Sequence, residues 1–181
     1  MERFEGPVIG SRIRRWIQNP YKLLALLELG RGQSFLDIGC GRGFLTLPAA
    51  HIVGAEGRVY AVDTSAKYLT ELRKRVKSLN LSNVSILETD ASELDGVLHK
   101  SVDKAAMMLS LHHIERKRTA LTVLREKLRE GSSILVVDPI SSRMLGHGTN
   151  PTETLLLFKS LGYTLNTYKQ GLLTWSAIFT V

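Results

Sequence analysis

Cysteine is nearly absent: Cys40 is the only one in 181 residues. A single thiol excludes an internal disulfide framework and any metal site built on several cysteines, and no metal ligand set is read from the sequence. Long apolar runs are absent too. No stretch reaches the roughly 18 residues that a membrane span needs, and no charged-then-apolar leader opens the chain. A cytoplasmic location with no membrane partner is therefore the expectation. Repeats, low-complexity tracts and linkers are also missing.

What is present is ordinary for a globular protein: 44% hydrophobic and 23% charged residues, in a chain long enough to bury a core without covalent staples. The formal net charge is +7, which raises the question of an anionic partner. The positive residues are dispersed. Lys67, Arg73, Lys74, Arg75 and Lys77, and later Arg116, Lys117, Arg118, Arg125, Lys127 and Arg129, fall on polar helix faces among glutamates and read as solvated surface. Arg12, Arg14 and Arg15 are placed where they could flank the mouth of a cleft, and they keep RNA open as a partner beside a small-molecule substrate.

The pattern divides into an N-terminal arm (1–18), without a clear period and positioned to act as a lid, and one domain (19–181). Asn19-Pro20 and Asn150-Pro151 are helix starts, an N-cap side chain followed by proline at the first helical position. Strands are expected at about 34–38, 58–63, 84–88, 102–109 and 133–138, with helices at about 20–29, 43–53, 66–79, 92–98, 115–130 and 151–161 between and beyond them. The strands are continuous apolar runs, as in a parallel sheet covered on both faces. Strand–helix alternation gives an α/β, doubly wound, Rossmann-like sheet. Two final apolar runs, around 163–168 and 172–181, read as an antiparallel hairpin that completes seven strands.

Phe35 to Thr46 is the organising stretch: a strand, then Gly39-Cys40-Gly41-Arg42-Gly43, then a helix start. Glycines so dense suit a backbone that turns tightly and approaches a ligand. Asp63 follows Gly43 by the interval of about 20 residues at which a doubly wound sheet places a ribose-binding carboxylate. Asp37, Asp90 and Asp138 also lie at or near strand ends; helix capping or turn formation is the alternative use for Asp90 and Asp138. A dinucleotide site would want glycine at position 44, which is Phe44, and no lysine follows the glycines as a triphosphate loop requires. Asp37 before the turn disfavours a pyrophosphate and suits a ligand carrying ammonium and sulfonium groups.

These residues carry a resemblance. Leu36-Asp37-Ile38-Gly39-Cys40-Gly41-Arg42-Gly43 resembles the first motif of class I S-adenosylmethionine-dependent methyltransferases, and Val62-Asp63-Thr64-Ser65 resembles their ribose-binding motif. Glu88-Thr89-Asp90-Ala91 resembles the third, whose acid reads the adenine amine. Ala106 to Ile114, through Leu109, resembles the fourth, beside the transferred methyl, and Lys127 to Pro139 the fifth. Arg15 to Pro20 and Pro151-Thr152-Glu153-Thr154 are similar to signatures of the small methyltransferases grouped with ubiquinone and menaquinone biosynthesis.

The resemblance implies S-adenosylmethionine as cofactor, held by Asp37, Gly39, Gly41, Asp63, Thr64, Asp90, Ala91 and Leu109. It implies methyl transfer by in-line displacement, in which positioning alone supplies on the order of 7–11 kcal/mol. The family needs no covalent nucleophile, and Cys40 is assigned to packing. His112 and His113 follow the fourth strand and are the candidate catalytic bases; His147, in the 139–149 loop, is a candidate for the same cleft. An RNA methyltransferase and a non-catalytic S-adenosylmethionine-binding module are the alternatives; a nicotinamide oxidoreductase is opposed by Phe44.

Overall fold

The computed structural model describes residues 19–181, so the expected N-terminal arm, with Arg12, Arg14, Arg15 and its lid role, lies outside the described residues. Elements alternate along the chain as α1 (Pro20–Leu26), β1 (Ser34–Ile38), α2 (Thr46–Val53), β2 (Arg58–Asp63), α3 (Ala66–Ser78), β3 (Val84–Glu88), β4 (Val102–Met108), α4 (Lys117–Lys127), β5 (Leu128–Pro139), α5 (Pro151–Ser160), β6 (Thr164–Gln170) and β7 (Thr174–Thr180). The seven strands form one sheet in the order β3-β2-β1-β4-β5-β7-β6. The first five pair in parallel; β7 runs antiparallel to both β5 and β6. The doubly wound expectation, with its C-terminal hairpin, matches this sheet.

Side-chain alternation along the strands splits the core in two. Leu36 and Ile38, Ala105 and Met107, and Ile134 and Val136 face a cluster closed by Leu121 and Leu124 of α4 and Phe158 of α5. Phe35, Ala106, Met108, Leu135 and Val137 face the opposite cluster, closed by Leu24 of α1 and by Ala49, Ala50 and Val53 of α2. Leu69 and Leu72 of α3 pack with Cys40, Leu47 and Ala61. β1, β4 and β5 are therefore apolar at successive positions because each of their faces meets helices.

Several boundaries differ from expectation, each for a local reason. No helix forms at 92–98, where the chain makes turns. The Asp90 carboxylate captures the Ser92 N–H at 2.8 Å and Thr89 Oγ1 donates to the Glu93 carbonyl, so side chains compete for groups a helix would use. Leu94 and Val97 are still buried, which explains their helix-like spacing. α2 starts at Thr46, not 43, since Gly41 and Gly43 hold positive φ. α4 stops at Lys127 because fully buried Leu128 leaves it to pair with Val102, lengthening β5 beyond the expected 133–138. The hairpin turn falls at 171–173, closed by Gly171 N–H to the Thr174 carbonyl at 2.8 Å.

Parallel pairing of β1, β2 and β3 brings their C-terminal ends side by side, with Asp37 opposite Ala61 and Asp63 opposite Glu88. β4 and β5 end on the other flank of β1. Ligands of doubly wound sheets bind along this edge.

Candidate functional site

The glycine turn is fastened from three sides. Gly39 N–H and Cys40 N–H both donate to the Val62 carbonyl, at 2.8 and 3.0 Å. Gly41 N–H donates to Asp63 Oδ2 at 2.8 Å, and Arg75 of α3 donates to the Arg42 carbonyl at 2.6 Å. One cation expected on a solvated helix face thus braces the turn. Gly39 has φ +74, and a Cβ there would lie 2.2 Å from the Ser110 Cβ. Gly41 has φ +52, yet a Cβ there would meet no atom of the described residues within 4 Å. The first glycine is required by the protein's own packing; the second faces open space beside Asp63.

Asp63 is half-buried at the end of β2 and accepts a second hydrogen bond, from Ser65 N–H to Oδ1 at 2.9 Å. This fixes the carboxylate plane and leaves further lone pairs for two neighbouring hydroxyls. Thr64, exposed, lies between β2 and the Ser65 cap of α3. Asp90, half-buried just beyond β3, accepts from the Ser92 hydroxyl and from its N–H, and Arg116 stands 3.8 Å away. The Ser92 hydroxyl first, then its N–H and the Arg116 charge, hold the Asp90 carboxyl below the usual carboxylate range. Turn formation, the alternative use expected for Asp90, is therefore seen. Ala91 beside it is 6% exposed.

Asp37 is almost completely buried and accepts from Thr46 Oγ1 at 2.6 Å. It ties β1 to the first residue of α2 beneath the turn. The Cys40 thiol is also buried; burial first, then the Asp37 and Asp63 charges, push its pKa strongly upward, and an un-ionised thiol is a poor nucleophile.

On the other flank, Leu109 adopts φ +55 just after β4, with its N–H on the Val137 carbonyl at 2.7 Å. A left-handed conformation at a branched residue costs roughly 1–2 kcal/mol, and such strain collects where geometry is functional. The turn brings Ser110 against Gly39, its hydroxyl donating to the Ile38 carbonyl at 2.7 Å. It also starts the 3₁₀ turn Leu111–His113. His112 Nδ1 lies 2.8 Å from Asp138 Oδ1, and its Nε2 lies 3.1 Å from His147 Nε2. The His113 ring centroid is 3.9 Å from that of His112 and 5.6 Å from that of His147. The three histidines read separately from the sequence therefore converge.

Asp138, the second acid for which capping was the alternative, caps no helix. It is fully buried at the end of β5, receives the Thr149 hydroxyl at 2.9 Å, and Thr149 Oγ1 accepts the Trp175 indole N–H at 3.0 Å. The order of donors is forced. An indole N–H only donates, so the Thr149 proton goes to Asp138, whose other oxygen takes His112 Nδ1–H. The other ring nitrogen of His112, Nε2, then faces His147. Thr149, Trp175 and Ser110 were missed in the sequence, because they meet the site only through the fold. The left-handed backbone at Leu109 leaves no sequence mark.

The sheet edge therefore carries a glycine turn between two acid-bearing strand ends on one side and a histidine cluster on the other. Comparison with known proteins places the chain in a family. Residues 35–131, more than half of the chain, match the family model described as "Methyltransferase domain". The chain is 34% identical over 113 residues, 62% of its length, to a probable cobalt-precorrin-6B C(15)-methyltransferase (decarboxylating) of Sulfolobus acidocaldarius. It is 32% identical over 119 residues, 66% of its length, to the aklanonic acid methyltransferase DauC of a Streptomyces species. The aligned regions span 57% and 54% of those relatives, little more than half their length. A crystal structure described as a SAM dependent methyltransferase from Aquifex aeolicus superposes with a TM-score of 0.81 over 93% of both chains at 22% identity, and so shares the fold. With the motif residues ordered along one sheet edge and the family model matched across them, the chain belongs to the methyltransferase domain family.

Proposed function

We propose that the chain is an S-adenosylmethionine-dependent methyltransferase acting on a small-molecule acceptor. The observation that carries this reading is the space that the described residues leave open at Gly41 beside the Asp63 carboxylate, flanked by Asp90 on the next strand end. Two fixed carboxylates with unused lone pairs match a ribose diol and an adenine amine in chemistry. The cofactor, when bound, supplies a methyl group activated on a sulfonium.

Each residue then has a part. Gly39 lets the turn lie on Ser110, and Gly41 lets the backbone come close to the ligand. Asp63, flanked by Thr64, takes the ribose hydroxyls; Asp90 takes the adenine amine, with Ala91 as its apolar neighbour. Asp37 secures α2 beneath the turn and adds negative charge near the ammonium and sulfonium. Leu109 closes the pocket between the cofactor and the acceptor side. His112, aimed by Asp138, and its neighbour His113 face the acceptor, so that the acceptor's proton leaves toward the histidine cluster. Orientation along this edge is the main source of rate.

The precorrin and the aklanonic acid in the relatives' names support a small organic acceptor. So does the likeness of Arg15 to Pro20 and Pro151 to Thr154 to the enzymes grouped with ubiquinone and menaquinone biosynthesis. The test is transfer of labelled methyl from S-adenosylmethionine, with a metabolite extract and an RNA pool supplied in parallel. Label in the small-molecule fraction is the expected result; label confined to RNA, or none in either, overturns the proposal.

A further inference from the structure

His112, His113 and His147 come from two segments, yet one imidazole nitrogen of each lies within 4.8 Å of the others. Two of them, the Nε2 atoms of His112 and His147, face each other at 3.1 Å. Because Asp138 holds the His112 ring proton on Nδ1, the facing Nε2 atoms must share either a proton or a cation.

We propose that the three histidines bind one divalent first-row transition ion of the Zn2+ class, with Asp138 as the carboxylate that orients His112. In tetrahedral zinc sites, with Zn–N near 2.0–2.1 Å, ligand nitrogens stand about 3.3 Å apart, close to the observed separation. Imidazole sets select Zn2+ and its neighbours over Mg2+ or Ca2+, which want oxygen. The support is built as such sites require: a ligating histidine donates its other N–H to a carboxylate, and here that carboxylate is buried and held by the Thr149 hydroxyl, which in turn accepts from Trp175.

The loop that brings His147 is fastened as well. Ser141 N–H donates to the Thr149 carbonyl, Thr149 N–H to the Pro139 carbonyl, and the Arg143 guanidinium to the Gly171 and Leu172 carbonyls. His113 and His147 are exposed, so small ring rotations complete the set. Three protein ligands leave a fourth position for water or an acceptor oxygen. With the ion held, the histidine nitrogens serve as ligands instead of proton acceptors and the fourth position takes the acceptor oxygen; only that use rests on the proposed function.

Ion binding is measured without S-adenosylmethionine, on the full chain carrying no polyhistidine tag. After metal stripping, Zn2+ is titrated by calorimetry, and Co2+ is followed through the intense visible bands of tetrahedral coordination. One ion per chain is expected. His113→Gln and His147→Gln each weaken it by more than about 100-fold, beyond the range of changes to supporting groups, and Asp138→Asn weakens it by about 10- to 100-fold. The double variant His51→Gln/His99→Gln, at the two histidines outside the cluster, binds as the unaltered chain does. No saturable binding of a single ion, or binding unchanged in the folded His113→Gln and His147→Gln chains, overturns the inference. S-adenosylmethionine titrated into the same metal-free samples reads the cofactor proposal separately.

Discussion

Gly39 and Gly41 sit two residues apart and respond differently to an added methyl group. Gly39→Ala must push Ser110 aside and hold a left-handed backbone, a cost of at least about 2 kcal/mol. Gly41→Ala carries only the backbone cost, about 1–2 kcal/mol, because no atom of the described residues stands in its way. Denaturant unfolding of both variants checks the difference. Cys40 gives a second residue-scale prediction. With its thiol buried and its pKa raised, iodoacetamide leaves the folded chain unlabelled near pH 7 and labels it in denaturant; equal labelling in both states contradicts the assignment. The glycines and Asp63 were legible in the sequence because their work is local, a turn and a fixed interval to the next strand end. Asp138 was not: buried orienter and exposed cap look alike in one dimension, and the partners that decide, His112 and Thr149, are non-local.

At the scale of elements, β1 is the hinge of the sheet, paired with both β2 and β4. Phe35, fully buried on it, makes the point testable: Phe35→Ala costs about 3–5 kcal/mol by chemical denaturation, whereas truncation of exposed Leu165 on edge strand β6 stays within about 0.5 kcal/mol. The start of β1 is tied to β4 through Asp103, which accepts from Ser34 N–H and hydroxyl, at 2.8 Å each, and from Arg129. Burial raises the Asp103 carboxyl, but the Ser34 donors and the Arg129 charge outweigh it and hold it below its ordinary value. A carboxyl depressed on folding stabilises the chain above its unfolded pKa, and that contribution is lost as pH falls through the folded value. Asp103→Asn is therefore less stable than the unaltered chain near pH 7, and the gap narrows below about pH 4. Denaturant midpoints at both pH values read this; a gap that widens in acid contradicts it. Strands and capped helices were legible because period and N-cap are local signals. The 92–98 segment was not, because Leu94 and Val97 carry helical spacing while Asp90 spends the Ser92 N–H on a turn.

Across the whole molecule, the parallel order β3-β2-β1-β4-β5 gathers onto one edge what the chain separates by a hundred residues: the glycine turn, Asp63, Asp90 and the histidine cluster. In the proposed function one half of that edge holds the nucleoside and the other receives the acceptor. The order of the motifs made the first half legible; the second depended on the 139–149 loop folding back through the Ile140–Thr149 bridge to set His147 against His112. If the cluster serves the acceptor as proposed, His112→Gln lowers turnover while cofactor affinity stays within about twofold. The central claim is the nucleoside half. Calorimetric titration of the full chain, Gly41→Ala and Asp63→Ala with S-adenosylmethionine, with NAD as the control ligand, tests it most directly. One site for S-adenosylmethionine and none for NAD is predicted, with binding lost in folded Gly41→Ala. In Asp63→Ala, affinity falls by about 10- to 100-fold, as loss of charge-assisted hydrogen bonds worth roughly 1.5–3 kcal/mol requires. Unchanged affinity in both variants, or no binding by the unaltered chain, would contradict it.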